Sequence, residues 1–147
     1  TMTRYLEQLP LLAILGTAPL AAQTPDPSAP IRQAMLDYID GFYTGDTTLL
    51  VRSVSPSVIK YGYWQDSTNA PFVGEPMSYA QIVAKPRRPH PPKPGAPREV
   101  QILEVQQQVA SGKVRAWWGI DYILLAREND RWMIRSVLWQ GPLPTTR

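Results

Sequence analysis

From Glu99 to Gln140 β-branched and aromatic residues recur along the chain, with turn signals at Ser111-Gly112 and at Glu128-Asn129-Asp130. This run constrains the fold more than any other feature. It predicts three long strands, Glu99–Val109, Lys113–Arg127 and Arg131–Gln140, and breaks this short are hairpin connections, so the strands should form an antiparallel meander. A meander must bury one face, and the segments before it have to supply the cover.

Those segments read as helices. Ser28 can cap, Pro30 suits a first turn, and Ile31, Met35, Tyr38, Ile39 and Phe42 recur at helical spacing as one apolar stripe ending between Gly41 and Gly45. Asp37 and Asp40 fall outside that stripe and are expected in solvent. Asp46 should cap a second helix, Thr47 to Val54, which Pro56 stops. Val58 to Trp64 predicts a strand, Gln65 to Pro76 a turn-rich loop, and Ser78 to Ala84 a third short helix. Helices first and strands last make the fold class α+β, with the helices on one face of a curved, mainly antiparallel sheet.

With 44% hydrophobic and 18% charged residues in 147, one globular domain is expected. The net charge of +3 and the 16 prolines would suit a polyanion partner. Their placement argues otherwise. Lys85 to Arg98 carries five cations, six prolines and no acid, which leaves ten basic against twelve acidic residues elsewhere. The prolines keep these charges off any regular surface and no aromatics are interleaved, so nucleic acid is not an expected partner. The segment can serve as a polyproline II ligand, a tether to anionic polymer, or a solvated connection.

The N-terminus predicts a secretory signal over residues 1–22: Arg4 in a polar start, an apolar stretch Leu9 to Leu20, and Leu20-Ala21-Ala22 before Gln23. Residues 23–30 then form a linker, 31–140 the domain and 141–147 a tail. The expected location is periplasmic or secreted, with no integral membrane segment after cleavage. The absence of cysteine excludes disulfides, thiolate metal sites and cysteine nucleophiles. His90, the one histidine, lies among prolines, so neither a histidine metal site nor a histidine relay can be assembled. No phosphate loop, dinucleotide fingerprint or nucleophile elbow is present, and no metal or cofactor is expected.

Three segments together carry a resemblance: Ile31-Arg-Gln-Ala-Met-Leu-Asp-Tyr-Ile-Asp-Gly-Phe-Tyr-Thr-Gly-Asp46, Trp118-Gly-Ile-Asp-Tyr-Ile-Leu-Leu125, and Asn129-Asp-Arg-Trp-Met-Ile134. They resemble the putative lumazine-binding family of bacteria, part of the nuclear transport factor 2-like superfamily with the SnoaL-like proteins. The likeness runs from about Ile31 to Trp139, with Arg131 where glycine is usual. It implies a cone-shaped α+β half-barrel and a homodimer through the outer face of the sheet. It implies no demonstrated activity, and lumazine is not carried over as ligand.

Asp121 is the sharpest single residue, because a mid-strand carboxylate among Gly119, Ile120 and Tyr122 is costly to bury unless paired. The family pattern turns Trp117, Asp121, Ile123 and Leu125 inward and Trp118, Ile120, Tyr122 and Leu124 outward. The expected ligand-binding residues are Tyr38, Phe42, Trp117, Asp121 and Trp132, lining an apolar pocket for a small, partly aromatic molecule. If the protein is an enzyme, Asp121 would be the general base of a lyase or isomerase and Tyr38 would polarise a substrate oxygen. The same residues also suit a filled core, with Asp121 bonded to the hydroxyl of Tyr38 or Tyr43, in a dimerisation or interaction module.

Overall fold

The computed structural model describes residues 25–84 and 93–142. The expected signal sequence, the first residues of the expected linker, the tail from residue 143 and His90 with the head of the basic loop lie outside the described residues. The described elements are α1 (Ala29–Thr44), α2 (Thr47–Ser53), β1 (Val54–Trp64), β2 (Val73–Met77), α3 (Tyr79–Ala84), β3 (Glu99–Val105), β4 (Val109–Ala116), β5 (Gly119–Glu128) and β6 (Arg131–Gln140). Six strands form one curved, unclosed sheet in the order β2-β1-β6-β5-β4-β3. Every neighbouring pair is antiparallel except β1 with β6. The helices cover the concave face, which gives the α+β half-barrel expected from the sequence.

The helical stripe does what its spacing requires. Ile31, Met35, Tyr38 and Ile39 lose all solvent contact against Val114, Ile123, Leu125, Ile134 and Val137 of the sheet. Each fully buried aliphatic side chain contributes about 1.5–3 kcal/mol. α1 can lie close to β4 because Gly112 has no Cβ: one there would sit 2.7 Å from Met35 Cε and 2.7 Å from the Gln101 carbonyl.

The hairpin expected at Ser111-Gly112 does not form. Gly112 lies inside β4, paired with Ile102 on one side and Ile123 on the other, and the β3–β4 turn falls at residues 106–108. The long strand expected from Lys113 to Arg127 is two strands joined by the two-residue turn Trp117-Trp118, with Ala116 facing Gly119. The meander therefore has four strands. Gln65 to Pro76 is not all loop, since β2 pairs with β1 from Trp64↔Val73 to Lys60↔Met77. Pro76 is tolerated because β2 is an edge strand. Pro56 does not end an element either; it lies exposed where the β1–β6 register shifts between Val54 and Ile59, so its missing N–H leaves no ladder bond unmade.

At the N-terminus Ser28 makes no side-chain cap bond. Its hydroxyl donates to the Asp26 carboxylate at 2.8 Å instead. Asp46 caps α2 as expected, accepting from the Thr48 N–H at 2.9 Å. Ser78 and Gln81 form a reciprocal box at the start of α3, Ser78 N–H to Gln81 Oε1 at 2.8 Å and Gln81 N–H to Ser78 Oγ at 3.3 Å.

The β5–β6 turn relocates the position at which glycine is favoured. Asn129 (φ 48°) and Asp130 (φ 61°) adopt the left-handed conformation, whereas Arg131 begins β6 opposite Glu128. Asn129-Asp130 is thus a hairpin turn of the kind that favours Asn-Gly. Asp130→Gly should stabilise the fold by about 0.5–1 kcal/mol in urea titration. Its ion pair to Arg127, with Asp130 93% exposed, contributes little that would be lost.

Candidate functional site

Tyr38 and Phe42, four residues apart on α1, share the helix face turned to the sheet. Below them the sheet offers its inner phase: Lys60, Gly62 and Trp64 from β1, Trp139 from β6 and Asp121 from β5. Asp121 faces Trp139, and Trp139 faces Gly62. The glycine is required at that point, because a Cβ on residue 62 would lie 1.8 Å from Trp139 Nε1; the indole lies across the bare backbone.

At the centre is a buried polar trio. Tyr38 donates its hydroxyl to Asp121 Oδ2 at 2.7 Å, and Trp118 Nε1–H donates to Asp121 Oδ1 at 3.0 Å. Lys60 Nζ donates to the Tyr38 hydroxyl oxygen and lies 3.9 Å from Asp121 Oδ2. Asp121 and Tyr38 are wholly buried and Lys60 is 6% exposed. Burial, reinforced by the charge of Asp121 and the hydrogen bond to it, holds the Tyr38 phenol well above the ordinary tyrosine range. The phenol therefore stays neutral and remains a donor to the carboxylate. The Lys60 ammonium is also held by rings, 5.0 Å from the centroid of Tyr38, 5.3 Å from that of Phe42 and 6.0 Å from that of Trp139.

Around the trio stand half-buried aromatics. Phe42 meets Tyr38 edge-on at 5.1 Å and Trp118 at 5.4 Å, and Trp118 also meets Tyr43 at 5.6 Å. Trp64 stacks on Trp139 at 6.5 Å. Phe42, Trp64, Trp118 and Trp139 each keep part of their surface in solvent. Aromatic faces left partly open beside a buried hydrogen-bonding trio are what a site for a flat molecule requires.

Of the five residues expected to line a pocket, Tyr38, Phe42 and Asp121 come together. Trp117 does not: it is 46% exposed at the β4–β5 turn. Strand alternation does not continue through the Trp117-Trp118 turn, so the inward tryptophan is Trp118. Trp132 is half-buried but faces Arg127 in the β5–β6 ladder, six residues along β5 from Asp121, or roughly 20 Å. It belongs to a separate groove of about 570 Å³ with Pro30, Gln33, Ala34, Asp37, Arg52, Asp130 and Arg131. Asp37 corrects another expectation, being 4% exposed. Its carboxylate accepts two hydrogen bonds at 2.7 Å from Arg52 of α2, which folds back along α1, and one at 2.8 Å from Gln33. Asp40 is likewise paired, taking two 2.6 Å hydrogen bonds from Arg98. The basic segment is therefore fastened at its C-terminal end, where Tyr43 also donates to the Pro97 carbonyl while accepting from Trp117 N–H at 3.0 Å.

Lys60, Trp118 and Trp139 were not among the residues expected to form a site. The first was findable: a lone lysine within Val58-Ile-Lys-Tyr-Gly-Tyr-Trp64, in phase with Gly62 and Trp64, invites the argument applied to Asp121. Among the described residues no three histidine, aspartate or glutamate side chains gather as metal ligands.

A family model described as Putative lumazine-binding matches residues 26–140. A nuclear transport factor 2-like protein of unknown function from Silicibacter pomeroyi superposes with a TM-score of 0.59 at 16% identity, covering 76% of this chain and 92% of that one. One from Shewanella baltica gives 0.58 at 16% identity, covering 79% and 93%. A ketosteroid isomerase-like protein from Erwinia carotovora gives 0.53 at 11% identity, covering 79% and 96%. No curated protein matches the chain. At these identities the likeness is one of fold.

Proposed function

Because the chain belongs to the putative lumazine-binding family and has the nuclear transport factor 2-like fold, we propose that it binds a small, flat, partly aromatic molecule on the concave face of its sheet. One observation carries the reading: half-open Phe42, Trp64, Trp118 and Trp139 surround the buried Lys60–Tyr38–Asp121 trio. The rings supply stacking area. Lys60, the trio's only member with any exposed surface, presents donor protons to an oxygen of the ligand. Asp121 is enclosed, and each of its oxygens already accepts a hydrogen bond, which weighs against its acting directly as a general base. Its part is to fix Tyr38, Trp118 and Lys60. The reading places the protein in the periplasm or outside the cell, as its N-terminal sequence suggests.

Titration with 2-naphthamide, a planar carbonyl compound that does not acylate or condense with amines, tests this. Tryptophan fluorescence should be quenched saturably, and Phe42→Ala should weaken the affinity about tenfold by removing one wall. Equal affinity in Phe42→Ala, or no saturable quenching, would remove the basis for the site.

The convex face supports a second element of the proposal, a homodimer. Ile59 and Tyr61 of β1, Leu138 of β6, and Tyr122 and Leu124 of β5 are exposed there, and Tyr61, Leu138 and Tyr122 lie abreast across the ladder. So continuous an apolar surface on three central strands suits a second copy of the same face. Light scattering should return twice the monomer mass for wild type and the monomer mass for Leu138→Lys; a monomeric wild type would end the dimer reading.

A further inference from the structure

We infer that Lys60 is a nucleophile toward carbonyl compounds, so that the ligand is an aldehyde or ketone held as an iminium. The inference rests on the binding site proposed above and names its substrate class. Three observations carry it. Lys60 Nζ is the one primary amine among the described residues set within the concave face, 6% exposed and in contact with the Tyr38 hydroxyl. That hydroxyl also bonds Asp121 Oδ2, so amine, phenol and carboxylate form a continuous path for a proton. The rings of Tyr38, Phe42 and Trp139 surround a cation at this nitrogen. An iminium carries the same charge as an ammonium but spreads it and demands less hydration, so this enclosure favours the iminium over the free amine and carbonyl.

The step balances without a co-reactant. The ammonium passes one proton through Tyr38 to Asp121, and the nitrogen lone pair then bonds to the carbonyl carbon while the C=O π pair moves to oxygen. That oxygen recovers the proton from Asp121 by way of Tyr38 and takes a second from nitrogen. The C–O bond breaks, water departs, and nitrogen closes a double bond to carbon. Ammonium and carbonyl have become iminium and water with no change of charge, and Asp121, neutral while it holds the relayed proton, ends as the carboxylate counter-ion of the iminium. Lys60 is the catalytic residue, with Tyr38 as proton carrier and Asp121 as the proton acceptor reached by way of Tyr38.

The test is reductive trapping on the full-length protein with 2-naphthaldehyde and cyanoborohydride, followed by peptide mapping. Lys60 should be labelled about tenfold faster than Lys113 or Lys93, because a bound aldehyde is held against its amine. Tyr38→Phe should slow the labelling of Lys60 by about tenfold or more while leaving Lys113 unchanged. The decisive comparison is made within wild type, so it stands even if a variant folds poorly. Saturable 2-naphthamide binding with label only on Lys93 and Lys113 would overturn the nucleophile and leave the binding site intact. Failure of both would overturn both.

Discussion

Replacing Asp121 by alanine is expected to cost about 3–5 kcal/mol of stability, because removing one partner from a buried ion pair leaves the other charged and unsolvated. The stranded group is Lys60, whose ammonium would lose the carboxylate 3.9 Å away. Two donors would also lose their acceptor, the Tyr38 hydroxyl and the Trp118 indole N–H. Asp121→Asn should cost less, about 1–3 kcal/mol, since one oxygen still accepts from Tyr38. Asp121→Leu combined with Lys60→Met should recover most of the alanine loss, as charge-free replacements of buried pairs commonly do. Urea unfolding at one fixed protein concentration measures all three, the fixed concentration removing any contribution from association. A cost under about 1 kcal/mol for the alanine variant would mean that Lys60 does not depend on Asp121.

The second large effect is expected at Gly119. Its φ of 148° is a conformation that L side chains rarely adopt, and a Cβ there would lie 2.0 Å from the Gln140 carbonyl oxygen and 2.9 Å from Gly141 Cα. Backbone cannot yield as a flexible side chain can. Gln140 is fixed by pairing with Ile120, so relief must come from opening the end of the β5–β6 ladder. Backbone strain of about 1–3 kcal/mol and overpacking of similar size together put Gly119→Ala at about 3 kcal/mol or more. Gly95→Ala is the control. Gly95 has φ 81° but nothing within 4 Å, so only the strain applies, about 1 kcal/mol. Gly119→Ala should also change the near-ultraviolet circular dichroism, because the residue anchors the turn that turns Trp118 inward and Trp117 outward. Equal costs for the two glycines would show that the Gln140 contact does not govern the turn.

Much of this architecture is written in local patterns. The α1 stripe, the helix-capping Asp46 and the β-rich final third each follow from short-range chemistry, and the structure reproduces them. Asp121, marked by the cost of burying a carboxylate, is wholly buried and bonded to the Tyr38 hydroxyl. What was not legible depends on contacts distant in sequence. Trp117-Trp118 lacks turn residues; its chain reversal depends on Gly119 beside the Gln140 carbonyl, 21 residues on. Gly112 looked like a turn but serves close packing with Met35 of α1. Asp37 looked solvated on a helical wheel, yet α2 folds back and places Arg52 over it. Trp132 satisfied the aromatic pattern of a pocket but lies at the far end of its hairpin, where only the strand register locates it.

Native mass spectrometry of the protein, purified from its own host without denaturation, addresses the central claim most directly. If the aromatic ring around Lys60, Tyr38 and Asp121 is a ligand site, wild type should carry one small molecule per chain and Phe42→Ala should lose it. A bare protein mass in wild type, with no occupancy on adding 2-naphthamide, would contradict the account.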